Sequence, residues 1–145
     1  MAVLKVPYRV IFGDTDALGI VYYANYLRLM DLARSEWFRK FSLPPRVMYE
    51  EKEYMIVIVE THLQHKRPAR FDEMIEIEIW LNKEWIKPAS IRFDYRIWSE
   101  SGDLCVQGYT RHAFTDRSGA LKRPPRDYLA SLQDVAELKD YNSNA

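Results

Sequence analysis

Asp14 and Asp16 stand two residues apart in Gly13-Asp14-Thr15-Asp16-Ala17-Leu18-Gly19-Ile20-Val21-Tyr22-Tyr23, between an apolar, strand-like run over 8–12 and a long amphipathic helix pattern. A carboxylate in that position can lie beside the free backbone N–H groups of a helix start. The pair has the parts needed to attack a carbonyl carbon and to stabilise the oxyanion that results. Aspartate is also common in turns and caps ahead of helices, and Asp14 is read in that way. Asp16 is read as functional because it precedes Ala17-Leu18-Gly19-Ile20-Val21 and is expected to face a dry cleft. Gly19 allows a close backbone approach or an unusual backbone angle. Tyr22, Tyr23 and Tyr26 are expected to line the same cleft.

The elements that would hold this segment follow from the spacing of apolar residues. Residues 4–12 read as a strand. Tyr23, Tyr26, Leu27, Met30, Ala33, Trp37 and Phe41 recur at intervals of three and four, which predicts a helix over 22–41. Leu32 and Phe38 widen its apolar stripe, and Pro44-Pro45 ends it. A short second helix is expected over 46–52. The pattern then changes to a period of two. Met55, Val57, Val59, Thr61 and Leu63 alternate with Ile56, Ile58, Glu60 and His62, and similar alternation covers 75–82 and 91–98. Residues 104–115 form a fifth, mixed strand, with turns at Ser101-Gly102-Asp103 and Arg117-Ser118-Gly119. A C-terminal helix is expected over 128–138, followed by frayed residues 141–145. One sheet with one apolar face needs a cover, and the long helix is the natural one.

Composition narrows the function classes. The chain has 145 residues, enough for one domain over 1–145 with a substantial core. Lys plus Arg and Asp plus Glu both number 21, and that neutral balance argues against a nucleic-acid partner. Cys105 is the sole cysteine, so no intrachain disulfide forms. The N-terminal residues lack the apolar run of a signal peptide, and no stretch has the length of a membrane span. A cytoplasmic protein is the expectation.

Other familiar chemistry is missing. There is no Gly-x-Ser-x-Gly elbow, no Walker loop and no Cys-x-x-Cys. His62 and His65, three apart on a strand, point to opposite faces and make a poor metal pair. Cys105 reads as a small buried hydrophobe and His112 as structural. No metal or cofactor is called for.

The segment Asp14-Thr15-Asp16-Ala17-Leu18-Gly19-Ile20-Val21-Tyr22-Tyr23-Ala24-Asn25-Tyr26 resembles the active-site signature of hot-dog-fold acyl-CoA thioesterases of the 4-hydroxybenzoyl-CoA thioesterase type, a group that includes the Tol-Pal-associated thioesterases. Arg67-Pro68-Ala69-Arg70-Phe71-Asp72-Glu73 and 90–97 extend the resemblance over roughly 5–125. The resemblance implies an α+β hot-dog fold, an antiparallel sheet wrapped around one long central helix. It implies that Asp16 is catalytic, as nucleophile or as general base for water, and that the Tyr23 amide holds the thioester oxygen. Gly19, Tyr22 and Tyr26 would then contact the acyl group, together with residues 55–59. Tol-Pal-associated members carry histidine where this chain has Tyr23. The tyrosine is closer to the 4-hydroxybenzoyl-CoA branch and favours an aromatic, hydroxybenzoyl-like acyl group over a short or medium aliphatic one. Lys83 and Lys87, with Arg67, Arg70, Lys122 and Arg123, are candidates for the phosphates of coenzyme A. The resemblance also implies a homodimer or homotetramer with sites between subunits, in keeping with the apolar Trp80 and Trp98, which need cover.

Two rival readings come from other classes. An apolar strand followed by Asp-x-Asp also occurs in aspartyl phosphotransferases, whose fold alternates strands and helices. A hot-dog domain can also bind an acyl thioester, or one carried on acyl-carrier protein, without hydrolysing a CoA ester.

Overall fold

The computed structural model describes residues 1–138 and 142–144. Strand β1 (Val3–Arg9) runs into a single 3-10 turn (Phe12–Asp14), and the long helix α1 covers Asn25–Phe41. Strands β2 (Met55–His65), β3 (Met74–Leu81), β4 (Ser90–Trp98) and β5 (Leu104–Thr115) follow, then helix α2 (Arg126–Ala136) and a short strand β6 (Asn142–Asn144). The sheet order is β2-β5-β4-β3-β1-β6, and every pairing among β1 to β5 is antiparallel. Such a sheet has no place for the alternating helices of an aspartyl phosphotransferase. The expected α+β hot-dog arrangement, a sheet curled around one long helix, is what the chain forms.

The core explains why. Ile75, Ile77 and Ile79 on β3, Ile91, Phe93, Tyr95 and Ile97 on β4, and Val106 and Phe114 on β5 are buried on one face. Helix α1 lays Tyr26, Leu29, Met30, Ala33, Trp37 and Phe38 onto that face. Trp37 meets Phe93 edge-to-face at 4.9 Å between ring centres, and Phe38 does so at 5.5 Å.

Several boundaries differ from the sequence reading, each for a local reason. Strand β1 ends at Arg9 because the backbone turns to bring Asp14 back to Ile11. The helix starts at Asn25 rather than 22, since Tyr22 N–H is spent on the Asp14 carbonyl at 2.9 Å. The short helix expected over 46–52 is a π-helical turn at Val47–Glu51. Helix α2 starts at Arg126, straight after Pro125. Asn142–Asn144 pairs in parallel with β1, where frayed residues were expected; Tyr141 and Ala145 lie outside the described residues. Trp80 and Trp98 are half-buried under Arg96, whose guanidinium lies 4.8 Å and 6.0 Å from their ring centres.

The largest departure is the phase of β2. Ile58 pairs with His112, yet Glu60 pairs with Arg111, so Val59 is an extra residue in a bulge. The continuous alternation read across 55–63 is therefore broken. Ile56 and Ile58 face α1 ahead of the bulge, and Thr61, Leu63 and His65 take that face after it. Farther along, Gly108 is required by contact: a Cβ there would lie 1.9 Å from the His62 carbonyl oxygen of β2.

Beneath α1 a polar chain crosses the core. Arg34 donates to Tyr95 Oη at 3.1 Å, Tyr95 Oη and Thr110 Oγ1 are 2.8 Å apart, and His112 Nε2 is 2.7 Å from Thr110 Oγ1. Burial, and then the Arg34 charge, pushes His112 down to about 3, which agrees with its structural reading. A base depressed when folded binds fewer protons than when unfolded, so its contribution to stability is present above the unfolded value and lost as pH falls.

Two outcomes follow. The unfolding free energy of the protein falls by up to about 1.4 kcal/mol per pH unit between roughly 6.5 and about 3 from His112 alone, and His112→Met removes that increment of slope in urea titrations at pH 6 and 5. Gly108→Ala lowers stability by about 3 kcal/mol, read as a fall in the urea midpoint.

Candidate active site

Asp14 is 1% exposed and nearly every oxygen it offers is engaged. Its Oδ2 accepts from Tyr8 Oη and from the Ile11 N–H, both at 2.9 Å, and Oδ1 accepts from Arg28 of α1. Its carbonyl accepts from the Tyr22 N–H at 2.9 Å and from Asn25 Nδ2 at 2.8 Å. One residue thus ties β1, the 3-10 turn, the following loop and the first turns of α1. The turn role read for Asp14 is borne out, and Arg28 of α1 is its ionic partner.

Asp16 sits in the small hairpin that Asp14 anchors. Thr15 and Val21 bridge the two arms, and Asp16 N–H donates to the Ile20 carbonyl at 2.9 Å. The tip is a turn in which Gly19 N–H donates to the Asp16 carbonyl at 3.0 Å and Gly19 has φ +76°, a left-handed conformation suited to glycine. Asp16 Oδ1 accepts from the Leu18 N–H at 2.8 Å. Oδ2 has no partner among the described residues.

Asp16 lines a cleft of about 410 Å³ with Ile20, Val21, Tyr22, Tyr23 and Tyr26 on one wall and His65, Lys66, Arg67 and Pro68 on the other. Tyr22 and Tyr23 are exposed, with ring centres 4.7 Å apart. Tyr26 is buried, its Oη accepts from the Ala69 N–H at 3.4 Å, and burial pushes its pKa up to about 12. The loop that carries Asp16 is pinned to the far wall by Val21 N–H to the Ala69 carbonyl at 2.9 Å and Phe71 N–H to the Gly19 carbonyl at 3.0 Å.

The helix start opens into this loop. Asn25 N–H donates to the Tyr22 carbonyl and Tyr26 N–H to that of Tyr23. The N–H groups of Tyr23 and Ala24 have no partner among the described residues. They stand at the positive end of a 17-residue helix. A carboxylate with a free oxygen and two unpaired backbone donors at a helix start therefore share one segment, the combination suited to acyl transfer.

Of the basic residues singled out from sequence, only Arg67 lines the cleft. Lys83 and Lys87 lie on the β3–β4 connection, where Lys83 lines a separate pocket with Trp80, Asn82 and Glu84. Lys122 lies 5.0 Å from the Tyr54 ring centre and does not line the cleft. Residues 56–58 line a groove along α1 and not this cleft. Sequence reasoning passed over Lys66 and gave His65 no role beyond a poor metal pair with His62. Among the described residues, no group of three or more His, Cys, Asp or Glu side chains is placed to hold a metal ion, and no helix is long and apolar enough to cross a membrane.

Comparison with known proteins agrees with this fold. Residues 10–135 match the family model of the thioesterase-like superfamily. The chain is 31% identical over 133 residues to an acyl-CoA thioester hydrolase, YbgC, of Escherichia coli, covering 92% of this chain and 93% of that protein. A crystal structure of a 4-hydroxybenzoyl-CoA thioesterase variant complexed with 4-hydroxybenzoyl-CoA superposes with a TM-score of 0.80 at 27% identity, covering 91% of this chain and 99% of that one. DHNA-CoA thioesterase from Staphylococcus aureus superposes with a TM-score of 0.85 at 19% identity, covering 93% of this chain and 91% of that one, a likeness of fold.

Replacing Asp14 by Asn puts an amide donor where three donors converge. The expected loss is about 2–3 kcal/mol of stability, measured by urea unfolding, with slower acyl transfer because the helix start loses its anchor. Unchanged stability would contradict the clamp.

Proposed function

The chain belongs to the thioesterase-like superfamily and is an acyl-CoA thioester hydrolase; we propose that Asp16 carries its chemistry and that the Tyr23 amide is its oxyanion donor. The observation that carries this reading is the cleft itself, where a carboxylate with one free oxygen shares a loop with the unpaired N–H groups of a helix start. A thioester suits a carboxylate because the thiolate is a good leaving group. Attack by Asp16 on the carbonyl carbon, or on water that then attacks it, places negative charge on the carbonyl oxygen. A preorganised N–H there contributes about 3 kcal/mol to the transition state.

Gly19 sets the turn that presents Asp16, and Tyr22 and Tyr26 flank the acyl group. An aromatic acyl group, hydroxybenzoyl-like, is favoured over a short or medium aliphatic one. The support is the three tyrosines of the cleft and the aromatic thioester bound by a relative of similar fold. Neither a metal nor a cofactor enters this scheme.

The protein acts as one domain and assembles as a homodimer or homotetramer. The support is β2, an edge strand with Val57, Ile58 and Val59 each at least 40% exposed, a surface that wants a partner. Lys83 and Lys87, remote from the cleft of their own chain, then meet coenzyme A phosphates bound at a neighbouring subunit's site. Reduced, buried Cys105 suits a cytoplasmic protein.

Thiol release from aromatic and straight-chain acyl-CoAs tests the reading. Asp16→Asn is expected to lower kcat by at least about 100-fold with folding intact. Release faster from aliphatic than from aromatic esters would overturn the acyl preference. Binding without release from any CoA ester would move the assignment to an acyl-carrier-protein ester or to a binding module.

A further inference from the structure

The three histidines have different surroundings. His112 is sealed in the core, and His62 stacks on Tyr109 on the outer face of the sheet at 5.3 Å. His65 alone reaches the cleft, where its ring lies 5.6 Å from that of Tyr26.

Its direction is set by the bulge at Val59. In an unbroken strand the inward residues after Ile56 and Ile58 would be Glu60, His62 and Gln64, and His65 would face outward. The extra residue shifts the phase by one, and His65 turns toward α1. The backbone just beyond is fixed, since the N–H groups of Lys66 and Arg67 both donate to the Cys105 carbonyl, at 2.7 Å and 3.3 Å. No hydrogen bond to the His65 side chain exists among the described residues. The imidazole is therefore held by its strand and by ring packing, with its nitrogens free.

We propose that His65 is a catalytic residue, the base that takes the proton of the hydrolytic water. The inference rests on Asp16 as the group that meets the thioester, acting as nucleophile. Asp16 attacks the carbonyl carbon, the C–S bond breaks, and coenzyme A leaves as thiolate. Water then attacks the carbonyl carbon of the acyl–Asp16 anhydride while His65 accepts its proton. The bond to the Asp16 oxygen breaks, releasing the free acid and the carboxylate. The imidazolium gives its proton to solvent and the departed CoA thiolate takes one from solvent, which returns both residues to their starting states.

The charged and titratable groups that face His65 come from three parts of the chain. The loop contributes Asp16, Tyr22 and Tyr23, and α1 contributes Tyr26. Lys66 and Arg67 follow directly after its strand, and Cys105 and Glu73 lie within electrostatic reach of Tyr26. Burial pushes the Cys105 thiol up to about 11, so it stays neutral. Histidine is the one side-chain type of this cleft that ordinarily changes charge between about pH 5 and 8.

The test uses His65→Gln, which keeps polarity, and His65→Phe, which keeps the ring contact with Tyr26. Both are expected to lower steady-state kcat by about 100-fold. Both should also lose the fall in kcat toward acid pH that a base needed in its neutral form imposes, and retain a rapid burst of one CoA per site. A kcat within about threefold of wild type overturns the proposal, as does a retained acid limb or a lost burst. If wild type is active and Asp16→Asn is not, such a result removes His65 alone. If Asp16→Asn remains fully active, the reading of Asp16 fails with it.

Discussion

A carboxylate taken out of water must be met by donors, and in this chain the demand falls on Asp14. Tyr8, the Ile11 N–H and Arg28 meet it from three parts of the chain. Meeting it fixes where β1 ends, where the loop turns and where α1 begins. The carbonyl of the same residue takes the Tyr22 N–H, which leaves those of Tyr23 and Ala24 unpaired at the helix start. The reactive geometry is thus a consequence of a structural carboxylate two residues from the one assigned to chemistry.

Much of this was legible in the sequence. The alternation of Ile75, Ile77 and Ile79, and of Ile91, Phe93, Tyr95 and Ile97, gave strands in which one face is buried. The three-and-four spacing from Tyr26 to Phe41 gave the helix that covers them. That Asp16 and the three tyrosines share one cleft could be read because a short local segment holds them all. What was hidden depended on contacts between distant segments. The ion pair of Arg28 with Asp14 spans the loop, and α1 had to be placed before it could be seen. The phase of β2 was hidden because Val57, Ile58 and Val59 are all apolar, so no polar residue marks the bulge.

The bulge joins fold to function. Strand β2 lies at the sheet edge, where an extra residue disturbs one ladder only. Past Val59 the strand presents Thr61, Leu63 and His65 to α1, and its end forms the wall opposite Asp16 with Lys66, Arg67 and Pro68. Ala69, next in line, returns to the loop through its carbonyl and the Val21 N–H. Both walls are therefore fastened to each other and to the core. A cleft so held keeps its donors in place before substrate arrives, which is the condition under which oriented dipoles are most effective.

The central claim is that the thioester carbonyl lies between the residue-16 side chain and the start of α1. A crystal structure of Asp16→Asn with an intact aromatic acyl-CoA addresses it directly. The account predicts the thioester oxygen about 3 Å from the Tyr23 amide nitrogen, with the carbonyl carbon facing residue 16 and the acyl group among Tyr22, Tyr23 and Tyr26. An acyl-CoA seated instead on the outer face of the sheet, in the cavity lined by His62, Trp80, Arg92 and Tyr109, would contradict it.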